Sequence, residues 1–533
     1  MSDSTPRLTR RALIGALPPL FLPMRVLAAG RAAHLLTVLH LNDFHSHHEP
    51  VDGAVVACGA GREGCFGGSA HLATAIARER AAATAAGRSV ALLDGGDQFQ
   101  GSLYFTAFAG AAERDVMHAI GTEAMAIGNH EFDRGPATLR DFLRPARFAP
   151  LACNISFDDP ELAARIRPGV ILDKAGLKLG LIGLTTPDTV HISSPGPAVH
   201  FTAPGPAATR AVAALRARGA QIVLALSHLG WEQDRALAGH VPGLDGFIGG
   251  HSHTLLSDAE PGAAGPAHAV FSGPAGRAVV VQAAAYGRYL GRLDLDIAAD
   301  GTLLAYGGDC RHVGLDLPED PEVAALVAGY TARLGDVRRR PVGRLDAELT
   351  NATCRVTECA LGDLVTDAML AASPGAEIAL VNGGGLRAGL PAGTVTLGDV
   401  LTVLPFGNTL ATFDLSGADL RAALVHGLNR MGQGGFPQIA GLRLVWNPLA
   451  SGDARLVSAA LLRPDGSLAP LDPARRYHIV ANDFVRHGGD GYAVLAERAI
   501  NPYDSGPPLD AALGTLLGSR HAAGLEGRIS LLR

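Results

Sequence analysis

Between residues 35 and about 300 one pattern recurs: a β-branched apolar run, a turn bearing Gly, Asp or His, then an Ala/Arg-rich helical segment. It predicts strands at Leu35–Leu41, Ser89–Leu93, Lys178–Leu184, Gln221–Leu226, Leu244–Ile248 and Ala278–Gln282. Strands alternating with helices build a layered α/β domain. The polar clusters fall just after the strands, where open sheets hold their ligands. Residues 317–337 break the pattern: Pro318 and Pro321 open a polar stretch that then reads as a single helix. It is the expected linker between a first domain at 31–316 and a second, mixed α/β domain at 338–533.

The chain has room for two such domains in its 533 residues, and 47% hydrophobic content excludes wholesale disorder. Lys plus Arg number 45 against 51 Asp plus Glu, which excludes a polycationic binder of nucleic acid polymers. Residues 1–30 read as an export signal peptide. Arg7, Arg10 and Arg11 precede an apolar stretch broken by Pro18, Pro19 and Pro23, and small residues follow. The Arg10-Arg11 pair suggests the twin-arginine route. No other window reaches eighteen uninterrupted apolar residues, so no stable membrane anchor is expected and the location is periplasmic or secreted. The cysteines suit that compartment. Cys58 and Cys65 flank a glycine-rich loop, Cys354 and Cys359 bracket four residues, and both spacings fit local disulfides. Cys153 and Cys310 have no obvious partner, and a cysteine zinc site finds little support without a CxxC pair.

Five clusters carry the chemistry: Asp43-Phe44-His45, Gly95-Gly96-Asp97, Gly128-Asn129-His130-Glu131-Phe132-Asp133, Ser227-His228 and Gly249-Gly250-His251-Ser252-His253. Each supplies Asp, Asn or His at the mouth of a strand, beside Gly that lets backbone approach closely. Imidazole with carboxylate suits a divalent transition metal, and a shared carboxylate suits a pair of ions. Such a pair can activate water for an in-line phosphoryl displacement. His47 and His48 match no required position and read as solvated turn residues.

The second half carries groups suited to a phosphate and a base. Arg355 sits inside the Cys354–Cys359 loop, and Asn382 and Arg387 frame the turn NGGGLR. The planar fork of Arg donates two parallel hydrogen bonds to phosphate. Aromatics are only 5% of the chain, yet Phe436 and Phe484 both lie in glycine-rich polar turns, GQGGFPQ and NDFVRHGGDG. Two rings can sandwich a nucleobase without demanding a particular one.

These motifs, DFH (43–45), GDQFQG (96–101), GNHEFD (128–133), SHLG (227–230) and GHSH (250–253), resemble the signature of calcineurin-type metallophosphoesterases, and more narrowly the 5′-nucleotidase family. The resemblance implies a four-layer α/β/β/α catalytic domain followed by a mixed α/β substrate-binding domain. It implies Asp43 and His45 on one divalent ion, Asp97 bridging, and Asn129, His228 and His251 on the second, with His253 a further ligand of the first. The metals are Zn, Mn, Fe or Co. His130 and Asp133 would form a dyad that binds no metal. In the second domain it implies Phe436 and Phe484 as a base clamp, Asp490 on the ribose hydroxyls, and Arg355, Asn382 and Arg387 at the ribose–phosphate end. The loop CRVTEC fills only the first of its basic positions. The implied activity is cleavage of AMP-like 5′-nucleotides to nucleoside and phosphate by metal-activated water. The implied pivot between domains lies in 317–337. Rivals sharing the metal site are a 2′,3′-cyclic-nucleotide phosphodiesterase and a UDP-sugar hydrolase. A thiosulfohydrolase of the same plan needs no base clamp, and a silent nucleotide-binding protein needs no intact metal site.

Overall fold

Side-chain alternation decides the layers. The computed structural model describes residues 24–28, 30–52, 58, 64–504, 506–519 and 522–532; the expected export signal therefore lies almost wholly outside the described residues. In the strand His34–Leu41, Leu36 and Val38 point to one face and Leu39 and Leu41 to the other, and all four are buried. The strands Leu177–Thr185 and Ile222–His228 are likewise covered on both faces. Strands covered on both sides must be sandwiched between two apolar layers.

Two sheets answer that demand. One runs Leu303–Gly307, Tyr289–Ile297, His34–Leu41, Ser89–Asp94, Ala124–Ala126, Ala149–Leu151, and its last four strands are parallel. The other runs Ala269–Gly273, Gly276–Val281, Gly246–Ile248, Ile222–His228, Leu177–Thr185, Gly169–Lys174, with its central four parallel. Leu36, Val38, Ala91 and Leu93 of the first meet Leu179, Leu181, Ile222 and Leu224 of the second in a shared core. Helices cover the outer faces: Ser69–Ala85 packs on Leu39 and Leu92, and Pro204–Ala217 packs on Ile182, Val223 and Ala225. The result is the expected helix–sheet–sheet–helix stack. All six expected strands fall within two residues of the observed ends, with Leu244–Ile248 shortening to Gly246–Ile248.

The second half builds a five-stranded sheet in the order Pro437–Ala440, Ile378–Asn382, Arg476–Asn482, Leu410–Ser416, Ile500–Tyr503. A four-stranded sheet, Leu468–Pro470, Leu456–Leu462, Leu442–Trp446, Ile529–Leu531, stands beside it. Between the halves runs the helix Pro321–Arg338, capped where Asp320 accepts from the backbone of Glu322 and Val323. It is no free tether. Tyr330 and Leu334 are buried with Tyr104 and Ala112 of the first lobe, and Tyr330 donates to Asp115 at 2.6 Å. Both expected disulfides, Cys58–Cys65 and Cys354–Cys359, are formed, and Cys153 and Cys310 are free thiols. Among the described residues no helix is long and apolar enough to cross a membrane.

Candidate metal centre and the cleft beside it

Parallel neighbours end together, so the loops after His34–Leu41, Ser89–Asp94 and Ala124–Ala126 meet at one edge, opposite His228 and the loop after Gly246–Ile248. Backbone hydrogen bonds tie these loops to one another. Asp43 N donates to Gly96 O at 2.9 Å and His45 N to Asp97 O at 3.0 Å. Space is tight: a Cβ on Gly128 would lie 2.2 Å from Asp97 Oδ1. Asp43, His45, Asp97, His251 and His253 all hold positive φ, between 50° and 71°. For non-glycine residues that conformation is costly, and its clustering marks a functional site.

The side chains converge. His228 Nε2 lies 3.0 Å from Asp97 Oδ2 and 3.2 Å from Asn129 Oδ1. His253 Nε2 lies 3.4 Å from Asp43 Oδ1 and 3.0 Å from His45 Nε2, which is 3.9 Å from Asp97 Oδ2. Three overlapping groups have the spacing to hold an ion: Asp43/His45/His253, His45/Asp97/His130 and Asp97/His228/His251. Asp97 and His45 each belong to two of them, and of the two only Asp97 has a second oxygen to share. The donor set fits divalent transition ions. Backbone carbonyls orient the rings: His45 Nδ1 meets Phe99 O at 3.1 Å and His228 Nδ1 meets Gly95 O at 2.8 Å, leaving each Nε2 facing the centre. Burial lowers His45 to about 3, so its imidazole is neutral and has a lone pair to give.

Carboxylates outweigh burial at two other rings: Asp97 and Asp43 raise His228 to about 10, and Asp133 and Asp97 raise His130 to about 9. Its Nδ1 donates to Asp133 Oδ2 at 2.6 Å, and Ser193 Oγ donates to the other oxygen of Asp133 at 2.8 Å.

Glu131, whose role sequence reasoning missed, is the brace beneath the centre. Fully buried, it accepts from the amides of Gln98 at 2.8 Å, Asp97 at 3.0 Å, Phe99 at 3.3 Å and Gly128 at 2.7 Å. It thus locks the Asp97 loop to the Asn129 loop. His47 and His48 correct another expectation: both are buried, not solvated. His48 Nδ1 pairs with Ser69 Oγ at 2.8 Å, and its ring meets Tyr104 at 5.0 Å. His47 packs on Tyr286, 4.7 Å between ring centres.

The centre opens into a cleft of about 990 Å³ between the two halves. His45, Asp97, His130, His251 and His253 line one side; Arg355, Asn382, Arg387, Phe484 and Asp490 line the other. Asn382 donates to Asp490 Oδ2 at 2.7 Å and accepts from Asn482 at 3.0 Å. Phe484 is 46% exposed. Phe436 is not in the cleft. It is fully buried in the second-half core, 5.5 Å from the Trp446 ring, and has no face to offer a base. The second aromatic on this side of the cleft is Phe406, half-buried, with the Arg387 guanidinium 5.7 Å from its ring centre; Tyr286 lines the opposite side. The signal for it was LPFGN, a ring between Pro and Gly just past a helix end.

Residues 36–255 match the family model of calcineurin-like phosphoesterases, and residues 341–497 match that of the 5′-nucleotidase C-terminal domain. The human 5′-nucleotidase is 31% identical over 535 residues, covering 95% of this chain and 92% of the relative. A trifunctional nucleotide phosphoesterase protein of Bacillus subtilis is 33% identical over 93% of this chain, which spans only 35% of that longer protein. The crystal structure of a 5′-nucleotidase precursor from Thermus thermophilus is 37% identical over 93% of this chain and 99% of its own, with a TM-score of 0.61. This chain therefore belongs to the 5′-nucleotidase family of phosphoric ester hydrolases, a calcineurin-like phosphoesterase domain joined to a 5′-nucleotidase C-terminal domain.

Proposed function

We propose that this chain is an exported phosphohydrolase that releases nucleoside and inorganic phosphate from 5′-nucleotides with the help of two divalent ions. One observation carries the reading: strained Asp and His residues gather around Asp97 on one side of a cleft whose other side bears Arg355, Arg387 and two aromatic rings. Asp43, His45 and His253 would hold one ion, Asn129, His228 and His251 the other, with Asp97 between them. Divalent ions held there would supply a water of lowered pKa and offset charge on the phosphoryl oxygens. His130, its Nδ1–H spent on Asp133, has its Nε2–H left for the phosphoryl or leaving oxygen, where a cation stabilises developing charge. Phe406 and Phe484 sandwich the base, Asp490 accepts from the ribose, and Arg355 and Arg387 hold the phosphate end. The two disulfides and the Arg10-Arg11 leader support an oxidising location outside the cytoplasm. The pivot between the lobes belongs at the end of the helix Pro321–Arg338, because the helix itself is docked on the first lobe.

The test is a screen of the protein, loaded in turn with Zn, Mn, Fe and Co, against AMP, UMP, ADP, a 2′,3′-cyclic nucleotide and UDP-glucose. Phosphate release from AMP should stop on chelation and return with added metal. Turnover of the cyclic nucleotide or UDP-glucose alone would replace the substrate assignment, and no turnover with any metal would leave a binding protein.

A further inference from the structure

We propose that Gln438 is a positioning residue for substrate binding, holding the Cys354–Cys359 loop so that Arg355 faces the cleft. The inference rests on the reading of Arg355 as a substrate-binding group. Arg355 is exposed on a loop closed by a disulfide, and a disulfide fixes only the loop's two ends. Three backbone groups inside the loop are held by one side chain. Gln438 Nε2 donates to Cys354 O at 2.9 Å and to Thr357 O at 2.8 Å, while its Oε1 accepts from Cys359 N at 3.0 Å. Both amide hydrogens and the carbonyl are therefore used.

Gln438 is fully buried, so water has no access to take its place. Room for its carboxamide exists because residue 362 is Gly: a Cβ there would lie 2.5 Å from Gln438 Cγ and Oε1. The backbone of Gln438 lies in the strand Pro437–Ala440 opposite Val381, with Pro437 opposite Asn382. Gln438 thus ties the Arg355 loop to the strand paired with Asn382, across the mouth of the same cleft, and Gly432 N adds one bond to Arg355 O at 2.7 Å. Gln438 does not line the cleft itself, so its effect on substrate must pass through Arg355.

The test is steady-state kinetics on AMP with the metal-loaded full chain as wild type, Q438L, R355A and the double variant. Leu keeps the bulk and removes every hydrogen bond. Loss of orientation alone should raise KM about tenfold in Q438L, with kcat within about twofold. In the R355A background the same change should add almost nothing, because a positioning residue has no effect once its client is gone. If Q438L lowers kcat or compounds in full with R355A, Gln438 is only a stabilising residue and the proposal fails. An unaltered KM in Q438L alone also overturns it. A normal KM in R355A would instead overturn the Arg355 reading beneath it. Should Q438L not fold, G362A displaces the carboxamide without deleting it; it should give the same KM rise, and an unchanged KM there refutes the proposal.

Discussion

Phe406 and Phe436 sit in turns of similar composition and end in opposite environments. The glycines before Phe436 serve close packing: a Cβ on Gly384 would lie 2.6 Å from Gly434 Cα, so the turn is pressed against the NGGG segment. Phe436 then enters the strand Pro437–Ala440, buried at every position. Phe406 follows the helix Leu397–Val403 and leaves part of its ring in the cleft. Glycine next to an aromatic signals either close approach or an open turn, and local sequence does not distinguish them. Truncation does. Phe406→Ala and Phe484→Ala should each raise KM for AMP about tenfold, the worth of one base stack. Phe436→Ala should instead cost about 3–5 kcal/mol in unfolding free energy. Urea unfolding beside kinetics separates the two, and a base-binding defect confined to Phe436 would reverse the assignment. His47 and His48 were illegible for a related reason. The groups that bury them, Ser69, Tyr104 and Tyr286, come from distant segments. The expected ligand residues stood out in the sequence because each stands at or just after a strand end, and glycine precedes Asp97, Asn129 and His251.

At the scale of elements, the helix Ala360–Ala371 and the C-terminal strand Ile529–Leu531 meet through a buried charged cluster. Glu358 accepts from the amides of Glu526 and Ile529, both at 2.8 Å, and Arg528 reaches Asp367 at 2.7 Å. Asp363 lies among them. Burial pushes its carboxyl up from 3.8 to about 8; Arg528 opposes that rise and Glu358 adds to it. The folded chain thus keeps a proton that the unfolded chain releases. Stability from this proton is fully present below about pH 4 and is lost as pH rises through the window to about 8. Asp363→Asn, which cannot ionise, should flatten that fall. Between about pH 6 and pH 8 the wild-type thermal midpoint should drop by about 2 °C more than the variant's. Parallel curves would mean that Arg528 keeps Asp363 ionised. The connecting helix shows what sequence can say of an element: Pro321 and its periodicity marked where it starts and that it is one helix. Its docking depends on Tyr104, Ala112 and Asp115, which lie far away in sequence.

Across the whole molecule, the cleft divides the work. On the proposed reading, the first lobe acts on the phosphoryl centre, and the second supplies Phe406, Phe484 and Asp490 for base and ribose with Arg355 and Arg387 for the phosphate. A small aryl phosphate has no use for the base and ribose contacts. Asp97→Asn and His130→Ala should therefore cut turnover of both AMP and p-nitrophenyl phosphate at least about a hundredfold. Phe406→Ala and Phe484→Ala should raise KM for AMP far more than KM for the aryl ester, since the aryl ester never uses the base contacts. The ratio of the two substrates' kcat/KM is the discriminating quantity, because a general loss of folded protein leaves it unchanged. Equal losses on both substrates from second-lobe variants would mean that this lobe shapes the metal centre itself. If the second lobe reorients as proposed, the change falls in the few residues after the helix Pro321–Arg338, which is packed on the first lobe; there Leu397 N donates to Arg340 O at 2.9 Å. The two lobes are joined there by a short stretch of backbone, so recognition and chemistry can be mutated apart even though they share one cavity.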